Sequence, residues 1–157
     1  MKLKSLIKYL LLLFTAFSLI TFCKNDKGTE VKVIPYNKIA ILLDKPIYNL
    51  GDKAELSIHN DTDMDLILDN CGPDPGFDFQ KQIGGKWNTV LTPDCIGDGQ
   101  PFEIPAGARF KHEVTIPQII KNGSHEGQYR LLLWLKKKKG GEFLDKEDRA
   151  TDPFYIR

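Results

Sequence analysis

Gln128-Tyr129-Arg130-Leu131-Leu132-Leu133-Trp134-Leu135-Lys136 is the most strand-like run in this chain of 157 residues. Successive side chains of a strand point to opposite faces. Tyr129, Leu131, Leu133 and Leu135 therefore share one face, and Arg130, Leu132, Trp134 and Lys136 share the other. Apolar residues occur on both faces, so the run predicts a central strand covered on each side. Around it the chain repeats one pattern, a short apolar run followed by turn chemistry.

Residues 54–59 alternate, with Ala54, Leu56 and Ile58 set against Glu55, Ser57 and His59, as a half-buried strand does. Strands are also predicted over residues 38–43, 64–68, 77–83, 86–91, 102–104, 109–116 and 152–156. The breaks between them have physical causes. Asn60-Asp61-Thr62-Asp63 bonds its own backbone. Gly84-Gly85 suits a tight hairpin. Residues 69–76 hold two prolines and two glycines and are expected to be irregular. Residues 92–101 and 142–150 read as loops, and Asn122-Gly123 as a turn. The lysine run 136–139 before Gly140-Gly141 reads as a solvated hairpin end, or else an anionic-ligand patch. Residues 118–121 are expected to form no more than one short turn. Short strands with Gly, Pro, Asn and Asp turns predict an all-β chain, folded as an antiparallel sandwich or barrel over residues 31–157.

The first 22 residues differ from this body. Lys2, Lys4 and Lys8 form a basic start without acids, and residues 9–22 are an apolar run ending at Cys23. That is the layout of an export signal. The run is shorter than the roughly 20 residues that a spanning helix needs. Leu19-Ile20-Thr21-Phe22-Cys23 resembles the lipobox of bacterial lipoproteins. Phe22 departs from it, since Gly, Ala or Ser normally precedes the cysteine. The resemblance implies lipid on Cys23 and a bacterial cell-envelope location, with the chain held to the membrane from outside the cytoplasm. An uncleaved anchor and a plain secretory signal are the alternatives, and both also export the domain. Residues 23–30 then carry the attachment cysteine and a polar, flexible tether.

Without the signal's three lysines, 19 of the 22 basic side chains face 21 acidic ones. Such a balance does not suit nucleic acid as a partner. Cys71 and Cys95 are an even pair in an oxidising compartment. A bridge between them would stabilise by roughly 3–4 kcal/mol in the chain-entropy model. Two buried thiols or a metal pair are the other readings.

Four stretches resemble the bacterial immunoglobulin-like domains of exported lipoproteins. They are Lys45-Pro46-Ile47-Tyr48-Asn49-Leu50-Gly51-Asp52 with a strand ending at Asn60, then Gly85-Lys86-Trp87, Ile104-Pro105-Ala106-Gly107 and Glu126-Gly127-Gln128-Tyr129-Arg130. The resemblance implies one immunoglobulin-like sandwich, no shared catalytic site, and a role in binding or assembly with an envelope or extracellular protein. Tyr129 is placed like the tyrosine-corner residue of such sandwiches. The Cys71–Cys95 spacing is too short for the inter-sheet bridge of antibody domains. It is expected to pin the loop after the third strand to the loop after the Trp87 strand.

Little catalytic chemistry is visible. Asp61, Asp63 and Asp65 open like a calcium loop, but Leu66 and Gly72 stand where that loop needs Gly and Glu. A calcium site from Asp61, Asp63, Asp69, Asp74 and Asp78 competes with plain turn chemistry. No G-x-S-x-G, phosphate loop or zinc motif occurs, so no cofactor, metal or enzyme activity is expected. A hydrolase would need His112 or His125 beside a carboxylate in a cleft. The favoured binding surface is the loop carrying Asp69, Asp74, Phe77 and Asp78, because rigid loops at a sandwich end are common recognition sites. A secreted inhibitor or accessory subunit using that loop, or residues 92–101, is the second reading. It requires an exposed, rigid, apolar tip.

Overall fold

A computed structural model describes residues 38–95, 99–118, 125–138 and 140–157. The signal stretch, Cys23, the tether and Asn122-Gly123 lie outside the described residues. Among those described there are thirteen strands and no helix. In chain order they are β1 (Ile39–Leu43), β2 (Ile47–Tyr48), β3 (Lys53–Asn60), β4 (Leu66–Leu68), β5 (Asn70–Cys71), β6 (Asp74–Pro75), β7 (Phe77–Ile83) and β8 (Lys86–Leu91). They continue with β9 (Phe102–Ile104), β10 (Arg109–Thr115), β11 (Gly127–Leu133), β12 (Leu135–Lys137) and β13 (Phe154–Ile156).

One sheet has the order β1-β3-β10, and a second has β2-β13-β11-β7-β8. All neighbours are antiparallel except β2, which runs parallel to β13. β12, β4 and β9 form a third ladder, and β5 and β6 a fourth. One apolar core joins the layers. Leu56, Ile58 and Val114 from the first sheet meet Phe79, Tyr129, Leu131 and Phe154 from the second. Tyr129 stacks on Phe79 at 4.9 Å between centroids, and Tyr48 presents its edge to Phe154 at 5.5 Å. The fold is an all-β sandwich, as the alternating pattern predicts.

The period-two reading of β3 holds residue by residue, with Ala54, Leu56 and Ile58 buried. Tyr129 Oη donates to the His125 carbonyl at 2.8 Å, the bond a tyrosine corner makes. Gly51 and Gly107 adopt φ of +83° and +71°, a region that L side chains avoid. The strand predicted from residue 64 begins only at Leu66, because the Met64 carbonyl is taken by the Asn60 and Thr62 side chains. The strand predicted over residues 128–136 is interrupted at Trp134, where the pairing partner changes.

Asn60 is fully buried. Its Nδ2 donates to the carbonyls of Met64 (2.8 Å), Ile104 (3.1 Å) and Pro105 (3.0 Å), and its Oδ1 accepts from the Thr62 hydroxyl at 2.6 Å. One amide thus ties the β3–β4 turn to the β9–β10 turn. Asn60→Ala is expected to destabilise the domain by about 2–3 kcal/mol, since each bond is worth about 1 kcal/mol net and carbonyls are left unpaired. The shift in urea midpoint at constant slope checks it.

His59 lies opposite Ala40 and Arg109, and its Nδ1 is buried without a hydrogen-bond partner. Burial, with Arg109 and Lys111 nearby, holds its pKa below the ordinary 6.5, against the opposing pull of Asp61. The unfolded chain takes up the proton first. This contribution to stability is therefore full above about pH 6.5 and declines as pH falls toward the folded pKa. In His59→Phe the loss of urea resistance between pH 8 and pH 5 is expected to be smaller than in the natural protein. An equal loss would mean His59 does not contribute.

Candidate functional site

The backbone of residues 127–137 makes one nearly continuous strand, but its partner does not. Residues Tyr129 to Leu133 pair with Lys81 to Phe77, and Leu135 to Lys137 pair with Leu68 to Leu66. β4 and β7 therefore occupy one strand line, and residues 69–76 are extruded between them. Trp134 bridges the mouth. Its N–H donates to the Gly76 carbonyl at 2.9 Å, and its carbonyl accepts from the Asp69 N–H at 3.1 Å. The Gly76 N–H donates to the Asp69 carbonyl at 2.8 Å and closes the excursion. Expected to be irregular, this segment instead contains the β5–β6 ladder, with Asn70 opposite Pro75 and Cys71 opposite Asp74. Pairing backbone groups inside the excursion satisfies donors and acceptors that would otherwise go unmet.

Four fastenings hold it. Cys71 is bridged to Cys95, which follows β8, so the disulfide joins the two loops that the sequence analysis proposed. Asp69 forms an ion pair with Lys136. Asp74 Oδ1 lies 3.1 Å from His112 Nε2, tying the tip to β10. The Trp134 ring covers Gly76 so closely that a Cβ there would lie 2.2 Å from Cε3.

Of the predicted loop residues, Asp74 alone stands at the exposed tip. Asp69 sits at the mouth. Asp78 belongs to β7 and accepts from the Thr92 hydroxyl at 2.8 Å. Phe77 lies inside rather than on the loop surface. It is the first residue of β7, and its ring is only 8 % exposed, packed into the core. Alternation from Phe79 places it inward, which loop composition concealed. The tip, Gly72-Pro73-Asp74, carries no large apolar side chain. Sequence reasoning missed Trp134 and Gly76 as partners, since no local signal joins residues this far apart.

Of the acids weighed for calcium, Asp69, Asp74 and Asp78 take the separate partners already named. Asp61 faces Arg109 at 3.6 Å, and Asp65 accepts from the Ala106 N–H at 3.0 Å. Among the described residues no group of three His, Cys, Asp or Glu side chains is placed to hold a metal. His112 does stand beside a carboxylate, but its ring packs with Phe102 and Phe110. Ser57 is opposite Lys111, one residue away from the Leu56–His112 pair, and so points to the other face of the sheet. The His125 carbonyl serves Tyr129. In the lysine run, Lys136 pairs with Asp69 and Lys138 with Glu103 at 2.7 Å, so these two charges are engaged within the domain. A cleft of about 430 Å³ lies elsewhere, lined by charges of both signs, including Lys38, Lys137, Glu142 and Asp148.

No family model and no curated protein matches the chain. Among solved structures, it is similar to the Pseudomonas fluorescens alkylpurine DNA glycosylase AlkC bound to DNA containing an abasic site analog. Identity is 16 %, the TM-score is 0.39, and the match covers 76 % of this chain and 30 % of that one. It is also similar to Spo0M, a sporulation control protein from Bacillus subtilis, at 19 % identity and TM-score 0.39, over 79 % of this chain and 50 % of that one. The chain thus spans half or less of the length of either protein.

Gly76→Ala is expected to cost about 1–3 kcal/mol, the range for overpacking a tight site. It should also move the Trp134 ring, so tryptophan emission of the folded protein is expected to shift. A variant with unchanged stability and emission would show that the Trp134–Gly76 contact does not constrain the excursion.

Proposed function

We propose that this chain is a bacterial cell-envelope lipoprotein, with lipid on Cys23 and a non-catalytic immunoglobulin-like domain that presents the stapled excursion to an extracytoplasmic protein partner. The observation that carries this reading is the excursion itself. A strand line that could run straight from β4 into β7 is broken so that residues 69–76 leave the sheet with Pro73 and Asp74 exposed at the tip, and a disulfide, the Asp69–Lys136 ion pair, the His112–Asp74 hydrogen bond and a covering tryptophan restrain the segment. A restrained loop loses less entropy on binding than a free one.

Three further points support it. A Cys71–Cys95 bridge belongs to an oxidising compartment. The basic start and apolar run before Cys23 have the layout of an export signal. The first strand line is divided between the sheets, with β1 beside β3 and β2 beside β13, a division that supports the immunoglobulin-like reading, while the β12-β4-β9 ladder stands outside that pattern. The inhibitor reading asked for an apolar tip. For the loop at residues 69–79, the polar Gly72-Pro73-Asp74 tip and the buried Phe77 favour the first reading over it, while residues 96–98 of the loop at 92–101 lie outside the described residues.

Intact mass of the protein from membranes and from culture medium, with and without reduction, tests the proposal. A membrane species beginning at Cys23 with added acyl mass, gaining two hydrogens on reduction, is the expected result. A chain retained inside the cell with its signal and both thiols intact would overturn it.

A further inference from the structure

β1 is an edge of the three-stranded sheet, paired with β3 on one side. The Lys38 carbonyl accepts from the Asp61 N–H at 3.1 Å, and the Asp44 N–H donates to the Glu55 carbonyl at 3.2 Å. Lys38 and Asp44 thus turn backbone groups toward β3, as do Ala40 and Leu42 between them. In an antiparallel ladder this direction alternates, so the N–H and C=O groups of Ile39, Ile41 and Leu43 point the other way. No other described residue bonds them. Clefts open at both ends of the strand, one of about 430 Å³ touching Lys38 and Ile39 and one of about 280 Å³ touching Leu42 and Leu43.

Free edges are commonly blunted by charge, proline or a bulge. Two other edge strands follow that rule. β8 carries Lys86, and its pairing with β7 is irregular between Phe79 and Gln80. β10 carries Arg109, Lys111 and Glu113. β1 is Ile-Ala-Ile-Leu-Leu, with no charge, no proline and an unbroken register. An unpaired edge of this composition is a template for a further strand.

The sequence around it is self-complementary. Ile41 is the midpoint between Ala40 and Leu42, between Ile39 and Leu43, and between Lys38 and Asp44. Two copies set antiparallel about Ile41 place every outward-turned backbone residue opposite another. Ile41 faces Ile41, and Ile39 of each copy faces Leu43 of the other, so each free N–H meets a C=O. The core side of this seam is wholly apolar. On its other face Ala40 lies opposite Leu42, small against large. Lys38 of each copy comes opposite Asp44 of the other, and opposite charges directly across a ladder are favourable. Asp44 is held in place for this, since its Oδ1 accepts from the Glu55 N–H and the Tyr48 hydroxyl, each at 2.8 Å. Lys45 Nζ lies 3.7 Å from Oδ2, beyond hydrogen-bond range.

We propose that β1 is a dimerisation edge, on which a second copy of this chain adds its own β1 antiparallel about Ile41 and joins the two three-stranded sheets into one. An unrelated extended peptide would match the backbone groups but not the mirrored spacing of Lys38 and Asp44. The interface uses neither the stapled excursion nor the lipid.

Sedimentation equilibrium of the full chain in non-ionic detergent tests the proposal. A concentration-dependent monomer–dimer equilibrium is expected. Leu42→Lys and Lys38→Glu should each weaken it about ten-fold or more, because each change acts twice in the dimer. Ile83→Lys, at an apolar residue 55 % exposed on the other sheet, should leave it unchanged. Lys38 is exposed and lies outside the strand, so Lys38→Glu is expected to keep the urea midpoint of the natural protein. Cross-linking in a Cys23→Ser background reads the register. An equal mixture of Ala40→Cys and Leu42→Cys chains should form several-fold more disulfide-linked pairs than either chain alone. A chain that stays monomeric, a dimer as strong in Leu42→Lys and Lys38→Glu as in the natural protein, or cross-linking no greater in the mixture than in either chain alone would overturn the proposal.

Discussion

The rest of the structure depends on the need of residues 127–137 to pair their backbone along their whole length. A central strand buried on both faces has no water to satisfy its N–H and C=O groups. Here the pairing is supplied by two separate segments, β7 and β4, and Trp134 spans the joint by bonding Gly76 and Asp69 on either side of it. Once that joint is fixed, everything between Asp69 and Gly76 must leave the sheet. The exposed excursion is a geometric consequence of a ladder that stays complete.

That account also explains Gly76, which is needed for space beneath the Trp134 ring, and Pro75 sits opposite Asn70 in the short β5–β6 ladder. The disulfide then links the excursion to the chain leaving β8, so the β7–β8 hairpin is enclosed within the covalent loop. Local turn chemistry and long-range packing agree here, which is the consistency expected of a specified fold.

How much of this was legible beforehand follows from the range of each signal. Alternation over residues 54–59 gives the strand and its inward face directly, because it is a property of neighbours in sequence; over residues 77–83 it gives the strand, while Gln80 is buried and Ile83 exposed against the pattern. The turn at Gly84-Gly85 is legible for the same reason, and the Cys71–Cys95 pairing because these two cysteines form an even pair in an oxidising compartment. The break at Trp134 is not, since a strand's own pattern says nothing of where its partner stops. Phe77 is open to two readings, as a strand residue in step with Phe79 and as part of the neighbouring loop, and its burial follows the first.

The parallel pairing of β2 with β13 has a mechanical consequence. Tyr155 N–H donates to the Pro46 carbonyl and Arg157 N–H to the Tyr48 carbonyl, so the two strands run side by side in the same direction. Tension between the chain before β2 and the chain after β13 pulls the pair in opposite directions along its own axis. The bonds are then loaded together in shear and cannot open one after another. Tension between residues just before β2 and just after β13 is therefore resisted in shear at the edge of the five-stranded sheet.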